Sequence, residues 1–181
     1  TKRETKRILY VAITSNRGLC GGFNNNIMKA IRQEMAQTDA ECHVLPLGKK
    51  ANDAYKKLPE LNPVGFEDDA WQIFDDLNFD RAQIVAEHIM AQFEGGQYDE
   101  VKMVYNRFVN AAVQVATVEN YLPLEASEEA TDAAPSNDTD YIFEPSQDEI
   151  VERIIPNSLK VQLYKGLLDS HASEHGARMT A

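Results

Sequence analysis

The sequence has little cysteine, little tryptophan and no long apolar run, and these shortages exclude whole classes of protein. Only Cys20 and Cys42 occur among 181 residues, with no Cys-x-x-Cys pair. A disulfide framework is therefore excluded, and a reducing compartment is favoured. No stretch approaches the roughly 18 to 20 consecutive apolar residues that span a bilayer. The charged residues 1–7 also lack the apolar region of a secretory signal, so we expect no direct lipid insertion.

Basic residues are missing from one long segment. Residues 108–152 contain 11 acidic residues and no Lys or Arg, so the net charge of −11 belongs to this segment. This balance argues against nucleic acid as a partner, because phosphate binding needs a clustered basic face. Residues 122–140 are mostly Glu, Ala, Asp, Ser and Pro, with almost nothing to bury. They predict a solvated acidic loop, with a docking site for a basic partner as the alternative.

The remaining composition is that of one globular domain, with 43% hydrophobic and 26% charged residues. Residues 8–13 form a nearly continuous apolar run that predicts a strand buried on both faces, and residues 42–47 predict a second strand. Residues 101–109 and 112–119 are rich in β-formers and are separated by a short turn, which predicts a hairpin. The sheet is therefore expected to be mixed.

Helical periodicity separates these strands. Apolar positions between residues 27 and 35 predict a first helix with Asn24 as its N-cap. Residues 49–58 predict a second helix before Pro59. Residues 80–93 predict a third, with an apolar stripe of Ile84, Val85, His88, Ile89 and Phe93. Strands alternating with helices predict an α/β layered domain.

The last 36 residues, 146–181, predict one long helix. Apolar side chains recur there at helical spacing, at Ile150, Ile154, Leu159, Leu163 and Leu167, with the stripe widened by Val151, Ile155 and Leu168. Pro156 is expected to kink this helix without ending it. Its length of roughly 50 Å exceeds the roughly 40 Å width of a domain of this size. We therefore expect it to overhang the domain and to need another helix to lie against.

The first candidate site is the glycine-rich turn at residues 17–22. A strand, a glycine-rich turn and a helix in succession can present backbone N–H groups to an anion, which makes Gly18 to Asn24 a candidate phosphate or nucleotide site. The spacing, however, is Gly-x-x-Gly-Gly, and no Gly-Lys-Ser/Thr follows. The alternative is a tight structural turn. Cys20 lies beside Arg17, but no general base is evident near it.

The second candidate is the run from His171 to His175, which matches a zinc-binding His-x-x-Glu-His pattern with Glu174 as the group that activates water. The alternative is the polar face of a long helix. The other histidines, His43 and His88, cannot be placed by the sequence. The sequon at Asn137 is incidental, because the chain shows no secretory signal.

Four segments, taken in order along the chain, resemble the gamma subunit of F-type ATP synthases. Residues 13–24 resemble its T-S-D-R-G-L-C-G-G-x-N segment, with Asn16 where Asp is usual. Residues 105–108 resemble its strand that ends near Asn-x-Phe, and residues 141–145 its Y-x-x-E-P entry to the last helix. Residues 172–179 resemble its A-S-E-x-x-A-R-M stretch.

The resemblance implies a Rossmann-like mixed α/β domain whose C-terminal helix continues into a coiled-coil stalk. Residues 1–145 are then the foot domain, with its acidic loop at 122–140, and residues 146–181 are the start of the stalk helix. The chain is expected to be a piece of a longer protein. On this interpretation the glycine-rich turn is structural, the zinc pattern is accidental, and the chain has no catalytic, cofactor-binding or metal-binding residues.

The resemblance also implies a function and partners. The expected function is that of a non-catalytic rotor subunit that transmits torque between a proton-driven membrane ring and the catalytic subunits. The expected partners are an epsilon-type subunit, the alpha/beta hexamer and the c-ring, with residues 158–165 near that ring. The expected location is peripheral, on the cytoplasmic face of a bacterial inner membrane. The isolated chain is expected to be a monomer without ATPase activity.

Overall fold

The computed structural model describes residues 5–18, 22–66, 68–124 and 146–180. In chain order these form β1 (Arg7–Ile13), α1 (Phe23–Ala36), β2 (Glu41–Leu47), α2 (Lys49–Tyr55), α3 (Phe79–Glu94), β3 (Glu100–Asn110), β4 (Val113–Leu122) and α4 (Ile155–Thr180). Two 3-10 helices, Pro59–Leu61 and Ala70–Asp76, lie between α2 and α3. One α-helical turn, Gln147–Glu149, and a π-helical segment, Ile150–Ile154, precede α4.

The strands form one mixed sheet in the order β2-β1-β3-β4. β1 is parallel to both β2 and β3, with Tyr10 opposite Val44 on one side and Lys102 on the other. β3 and β4 form an antiparallel hairpin, with Tyr105 opposite Thr117. The predicted mixed sheet is therefore confirmed, and β1, whose residues Ile8–Ile13 are at most 3% exposed, lies at its centre.

Helices cover both faces of the sheet, which gives three layers. On one face, Ile27 and Ile31 of α1 and Ala51 and Tyr55 of α2 pack against alternate residues of β1 and β2. On the other face, α3 and α4 pack against the intervening residues of β1 and β3, among them Leu9, Val11 and Met103. The alternation follows from the pleat, because successive side chains of a strand point to opposite faces. The predicted α/β layered class is confirmed.

Residues 147–180 form one continuous helical stretch of about 50 Å, which confirms the predicted long C-terminal helix. Pro156 does not end the helix. Proline has no N–H to donate to the carbonyl of Glu152, four residues earlier, and the wider π-helical turn Ile150–Ile154 lies directly before it. None of the described helices is long and apolar enough to cross a membrane.

The predicted apolar stripe of this helix is correct only in part. Leu159, Leu163 and Leu167 are at most 2% exposed, and Ile155 packs against the same core. Three predicted members are instead exposed on other faces: Val151, Ile154 and Leu168. Adjacent helical residues point about 100° apart, so the face that packs Ile155 and Leu167 against the core leaves Ile154 and Leu168 outside. Leu159 to Ala177 therefore lie on the domain, while the exposed apolar residues Val151 and Ile154 precede it.

Three local predictions were wrong. Gly22, not Asn24, is the N-cap of α1. The helix after β2 ends at Tyr55 and not at residue 58, since Pro59 disfavours the helical conformation of Leu58, whose φ is −121° and ψ 78°. Ile84 of α3 is 53% exposed, since the buried face of that helix is formed by Ala82, Val85, Ala86 and Ile89.

Candidate functional site

The C-terminal half of α4 meets the glycine-rich turn and the end of β3, so three of the segments singled out in the sequence come together. The side-chain amide of Asn106 in β3 donates to the Phe23 carbonyl over 2.9 Å. The Ser173 hydroxyl of α4 donates to the Asn106 carbonyl over 3.0 Å, and Phe23 and Ala177 form a small buried apolar contact. Because Asn106 and Ser173 are at most 1% exposed, these bonds are shielded from water and fix α4 against the start of α1.

Arg178 holds the glycine-rich turn directly. Its guanidinium donates to the carbonyls of Arg17 and Gly18, each over 3.0 Å. The same group pairs with Glu174 one helical turn earlier, with Nε 2.9 Å from Oε1. A planar guanidinium can satisfy several acceptors at once in a fixed geometry, which a lysine cannot do. Arg178 therefore joins two parts of the chain that are 160 residues apart.

Asn24 acts as a tertiary link and not as a helix cap. Its Oδ1 accepts the backbone N–H of Ser15 over 2.9 Å, and its Nδ2 donates to the Ser15 hydroxyl over the same distance. The side chain is 9% exposed. It thus ties the first turn of α1 to the end of β1, and this long-range bonding is why the local capping rule failed.

The other end of the same loop closes the start of α2. The first three N–H groups of α2, at Lys49, Lys50 and Ala51, donate to Asn16 Oδ1, the Ser15 carbonyl and Thr14 Oγ1 over 2.9 to 3.1 Å. These amides are therefore satisfied by the protein itself.

Asn16 is also the residue that stands where the family motif usually has Asp. Its Nδ2 donates to Asp75 Oδ1 over 3.0 Å. An Asp at position 16 has no donor for this bond and would place two carboxylates together. The asparagine therefore fits its neighbour Asp75 in this chain.

The helix also approaches the β3–β4 turn closely at Gly176. A Cβ atom added there would lie 2.7 Å from the Ala111 carbonyl oxygen and 3.0 Å from its Cα. Glycine is therefore required by the close contact of two backbones and not by its conformation. The contact lies one turn beyond the buried Ser173, so it extends the packing of α4 against the hairpin.

A second polar contact joins α4 to the hairpin nearer the start of the helix. The Tyr105 hydroxyl donates to Glu119 Oε1 over 3.1 Å, and the Gln162 amide donates to Glu119 Oε2 over 2.9 Å. Burial, and after it the negative charge of Glu119, raises the pKa of Tyr105 to about 12. Tyr105 is therefore a protonated donor throughout the neutral pH range, and the bond to Glu119 persists there.

The phosphate hypothesis gains no support from the described part of the turn. Arg178 directs its donors at protein carbonyls, and the polar groups of Asn24 are bonded to Ser15. Residues 19–21, including Cys20, lie outside the described residues, as do residues 125–145, which contain most of the predicted acidic loop 122–140, Asn137 and the segment 141–145. Throughout the described ranges every buried side-chain nitrogen and oxygen has a hydrogen-bond partner. A packed structural turn is what these contacts favour.

The described surroundings of the histidine pattern favour the polar face of a long helix over a hydrolytic zinc centre. His171 and His175 lie close to each other, and Glu174 Oε1 accepts the Nε–H of Arg178 over 2.9 Å. Within the described residues no group of three His, Cys, Asp or Glu is placed to hold a metal ion. His43 is bonded to the Tyr98 hydroxyl through Nδ1 over 2.7 Å. Burial lowers the pKa of His43, which is typical of a core histidine.

The sequence pattern singled out the segment that contains Arg178 but did not indicate that Arg178 bonds to the carbonyls of Arg17 and Gly18. We expect Arg178→Lys to lower the free energy of unfolding by about 1 to 2 kcal/mol, because lysine cannot replace bonds to both carbonyls and to Glu174. Urea denaturation checks this expectation. Arg153→Lys is the matched control, since Arg153 is exposed on the same helical stretch, and its effect should stay within about 0.5 kcal/mol. Equal effects of the two substitutions would contradict the anchoring role of Arg178.

The whole chain, residues 1–181, matches the family model described as ATP synthase. Two similar curated proteins are ATP synthase gamma chains. The one from Flavobacterium johnsoniae is 46% identical over 185 residues, covering 100% of this chain and 61% of the relative. The one from Pelotomaculum thermopropionicum is 35% identical over 179 residues, covering 99% and 61%. The chain thus spans about three-fifths of the length of the curated relatives it matches.

Chains in solved structures of ATP synthases are also similar to this chain. A chain in the central stalk and c-ring structure of the Tetrahymena thermophila mitochondrial ATP synthase is 25% identical, with a TM-score of 0.71, covering 99% of this chain and 76% of that chain. A chain in the rotor of the Euglena gracilis mitochondrial ATP synthase is 22% identical, with a TM-score of 0.66, covering 97% and 65%. The Euglena similarity supports the fold alone.

Proposed function

Since the chain belongs to the ATP synthase family over its full length, we propose that it is the foot of a gamma chain, the central-stalk rotor of the F1 sector. In this role it transmits torque between a proton-driven membrane ring and the catalytic subunits, for synthesis or hydrolysis of ATP. Residues 1–145 serve as the foot domain and residues 146–181 as the start of the stalk helix. The observation that carries the proposal is the match over residues 1–181.

The packing of α4 supports this role physically. A shaft transmits torque only if its helix cannot slip on the domain that receives the force. Leu159, Leu163 and Leu167 are buried on the sheet, and Arg178 bonds to the glycine-rich turn at the far end of the same helix. Close-packed protein interiors resist deformation. The arrangement is that of a rigid lever.

The proposed partners are those of a rotor: an epsilon-type subunit, the alpha/beta hexamer and the c-ring. The chain is then peripheral, on the cytoplasmic face of a bacterial inner membrane. It contributes no catalytic residue to the ATP chemistry, and alone it is a monomer that hydrolyses no ATP.

The outer face of α4 is the part that we place near the ring. Ser158, Val161 and Lys165 lie on this face and are exposed, and Val161 is 55% exposed. They lie directly after Pro156 and opposite the buried leucines. The placement is carried over from the resemblance to the gamma subunit, and Val161, the exposed apolar residue of this face, is the side chain that tests it.

Affinity capture of the full-length protein from gently solubilised membranes tests the proposal. The catalytic subunits, an epsilon-type subunit and the membrane ring should co-purify with the wild-type protein. Val161→Asp should reduce recovery of the ring by about tenfold or more, because it places a charge in a desolvated contact. Ile84→Asp on α3 is the matched control, since Ile84 is 53% exposed, and it should leave recovery unchanged.

The outcomes separate two levels of the proposal. If the wild-type protein is recovered alone, the rotor role is wrong, and titration of Gly18 to Asn24 with Mg-nucleotide becomes the next experiment. If all subunits co-purify equally with Val161→Asp, the rotor role stands, and the placement of residues 158–165 near the ring is wrong.

A further inference from the structure

His171 and His175 face each other on the exposed side of α4. Their Nε2 atoms are 3.3 Å apart, and their rings are nearly perpendicular, with an interplanar angle of 89°. Both residues are exposed to solvent. The rotor role gives this pair no task. The separation fits one ring nitrogen that donates a hydrogen bond to the other.

The same separation is that of two ligands on one metal ion. Imidazole nitrogens bind zinc at 2.0–2.1 Å, so two of them on a tetrahedral ion lie about 3.3 to 3.4 Å apart. We propose that His171 and His175 form a two-imidazole chelate for a transition-metal ion of the Zn²⁺, Ni²⁺ or Cu²⁺ class. On binding, the ring that carries its proton on Nε2 moves it to Nδ1, so both Nε2 atoms offer a lone pair.

Neighbouring residues hold the His171 ring and the backbone of both histidines in place. The His171 ring stacks on Phe74, with centroids 6.3 Å apart and planes 18° apart. The backbone beneath is fixed because Ser170 and Ser173 are at most 1% exposed and Ser173 is bonded to Asn106. A chelate at positions i and i+4 requires a helix. Because the fold already orders this helix, binding of the ion does not carry the entropic cost of forming it.

The chemistry of the donors selects the ion. Imidazole nitrogen suits zinc, nickel and copper, whereas magnesium and calcium require oxygen ligands. Within the described residues no third His, Cys, Asp or Glu joins the pair, so water completes the coordination sphere. Glu174 is held by Arg178 and does not activate that water. The proposed site is therefore a two-histidine chelate across one helical turn and not a hydrolytic centre. It differs from the expectation, made from the sequence, that no residue of the chain binds metal.

A chelate between positions 171 and 175 forms only when α4 is helical. An ion that binds the folded chain and not the unfolded one stabilises the fold. Ni²⁺ or Zn²⁺ should therefore raise the midpoint of thermal unfolding, and the rise should continue with the logarithm of the free-ion concentration after the site is filled. Arg178, on the next turn of the helix, bonds to the glycine-rich turn, so the added stability acts on the contact between α4 and that turn.

Calorimetric titration of the protein with NiCl₂ or ZnCl₂ tests the proposal. The protein carries Cys20→Ser and Cys42→Ser, so that thiols do not compete, and any affinity tag is removed. One ion per chain is expected, with copper binding more tightly than nickel or zinc and with no binding of MgCl₂. His171→Ala and His175→Ala should each weaken binding about a hundredfold, because a chelate becomes a single ligand. His88→Ala is the matched control and should bind like the wild type.

The result that overturns the proposal is wild-type affinity in the variant that lacks both histidines, or no binding by the wild-type chain. Circular dichroism of each variant shows whether it is folded. A second readout does not depend on substitution: the imidazole ¹⁵N resonances of His171 and His175 should both shift on addition of Zn²⁺, while those of His88 stay in place. Resonances that move equally for all histidines would also overturn it.

Discussion

Leu163→Ala is expected to lower the free energy of unfolding by about 3 kcal/mol. Leu163 is 0% exposed and lies in the core that α4 forms with α3 and the sheet. Truncation removes buried methyl groups and leaves a cavity that the rigid sheet cannot fill by collapse. Leucine and alanine have similar helix propensities, so the loss measures packing and not helix formation. Denaturation by urea, followed by far-ultraviolet circular dichroism, gives the value.

Leu168→Ala is the matched control for this loss. Leu168 is on the same helix and was predicted from the sequence to share the buried stripe, but it is 44% exposed. Its truncation should cost no more than about 0.5 kcal/mol. If both substitutions cost the same, the helix does not rest on the sheet through the face described, and α4 is not a rigid lever on this domain.

Gly48→Ala is expected to cost about 3 kcal/mol or more. Gly48 links β2 to α2 with φ at +121° and ψ at 147°, a conformation that is almost restricted to glycine. An added Cβ would lie 2.5 Å from the Thr14 carbonyl oxygen and 2.6 Å from Thr14 Oγ1. The conformational strain and the contact with a rigid backbone therefore add. Thr14 Oγ1 also accepts the Ala51 N–H, so displacement of Thr14 loosens the start of α2.

Gly96→Ala separates the two causes. Gly96 also has a positive φ, +82°, but a Cβ added there meets no atom within 4 Å. Only the conformational cost applies, which is about 1 to 2 kcal/mol. Chemical denaturation of the two variants, with amide exchange at Ala51 as a local readout, gives the difference. Equal losses, with unchanged exchange at Ala51, would show that the approach of Gly48 to Thr14 is not a close one.

The sequence determined the elements whose signals are local. The apolar runs at residues 8–13 and 42–47 are strands, because β-branched and apolar side chains without helical spacing suit a sheet buried on both faces. The hairpin and the long final helix were predicted for similar reasons. The order of these signals along the chain was sufficient to predict a mixed α/β sheet, since each depends on neighbours only a few residues apart.

The angular position of each helix was not determined in this way. Periodicity indicates that one side of a helix is buried but leaves a margin of one residue at each edge of the stripe. The position of the sheet decided that Leu167 is buried and Leu168 exposed, and that Val85 is buried and Ile84 exposed. Asn24 shows the same limit, because its side chain had a local use as a cap and a tertiary use with Ser15, and the tertiary bonds prevailed.

The candidate sites depended on the tertiary structure most of all. By itself the sequence placed His171 and His175 one helical turn apart, which is a property of the helix. It could not indicate that Glu174 would be taken up by Arg178, or that Arg178 would bond to carbonyls 160 residues earlier in the chain. A hydrogen bond depends on atoms within about 3 Å, and only the packing of α4 on the sheet brings those atoms together. Local spacing therefore determined which residues were candidates, and tertiary packing decided what each of them binds.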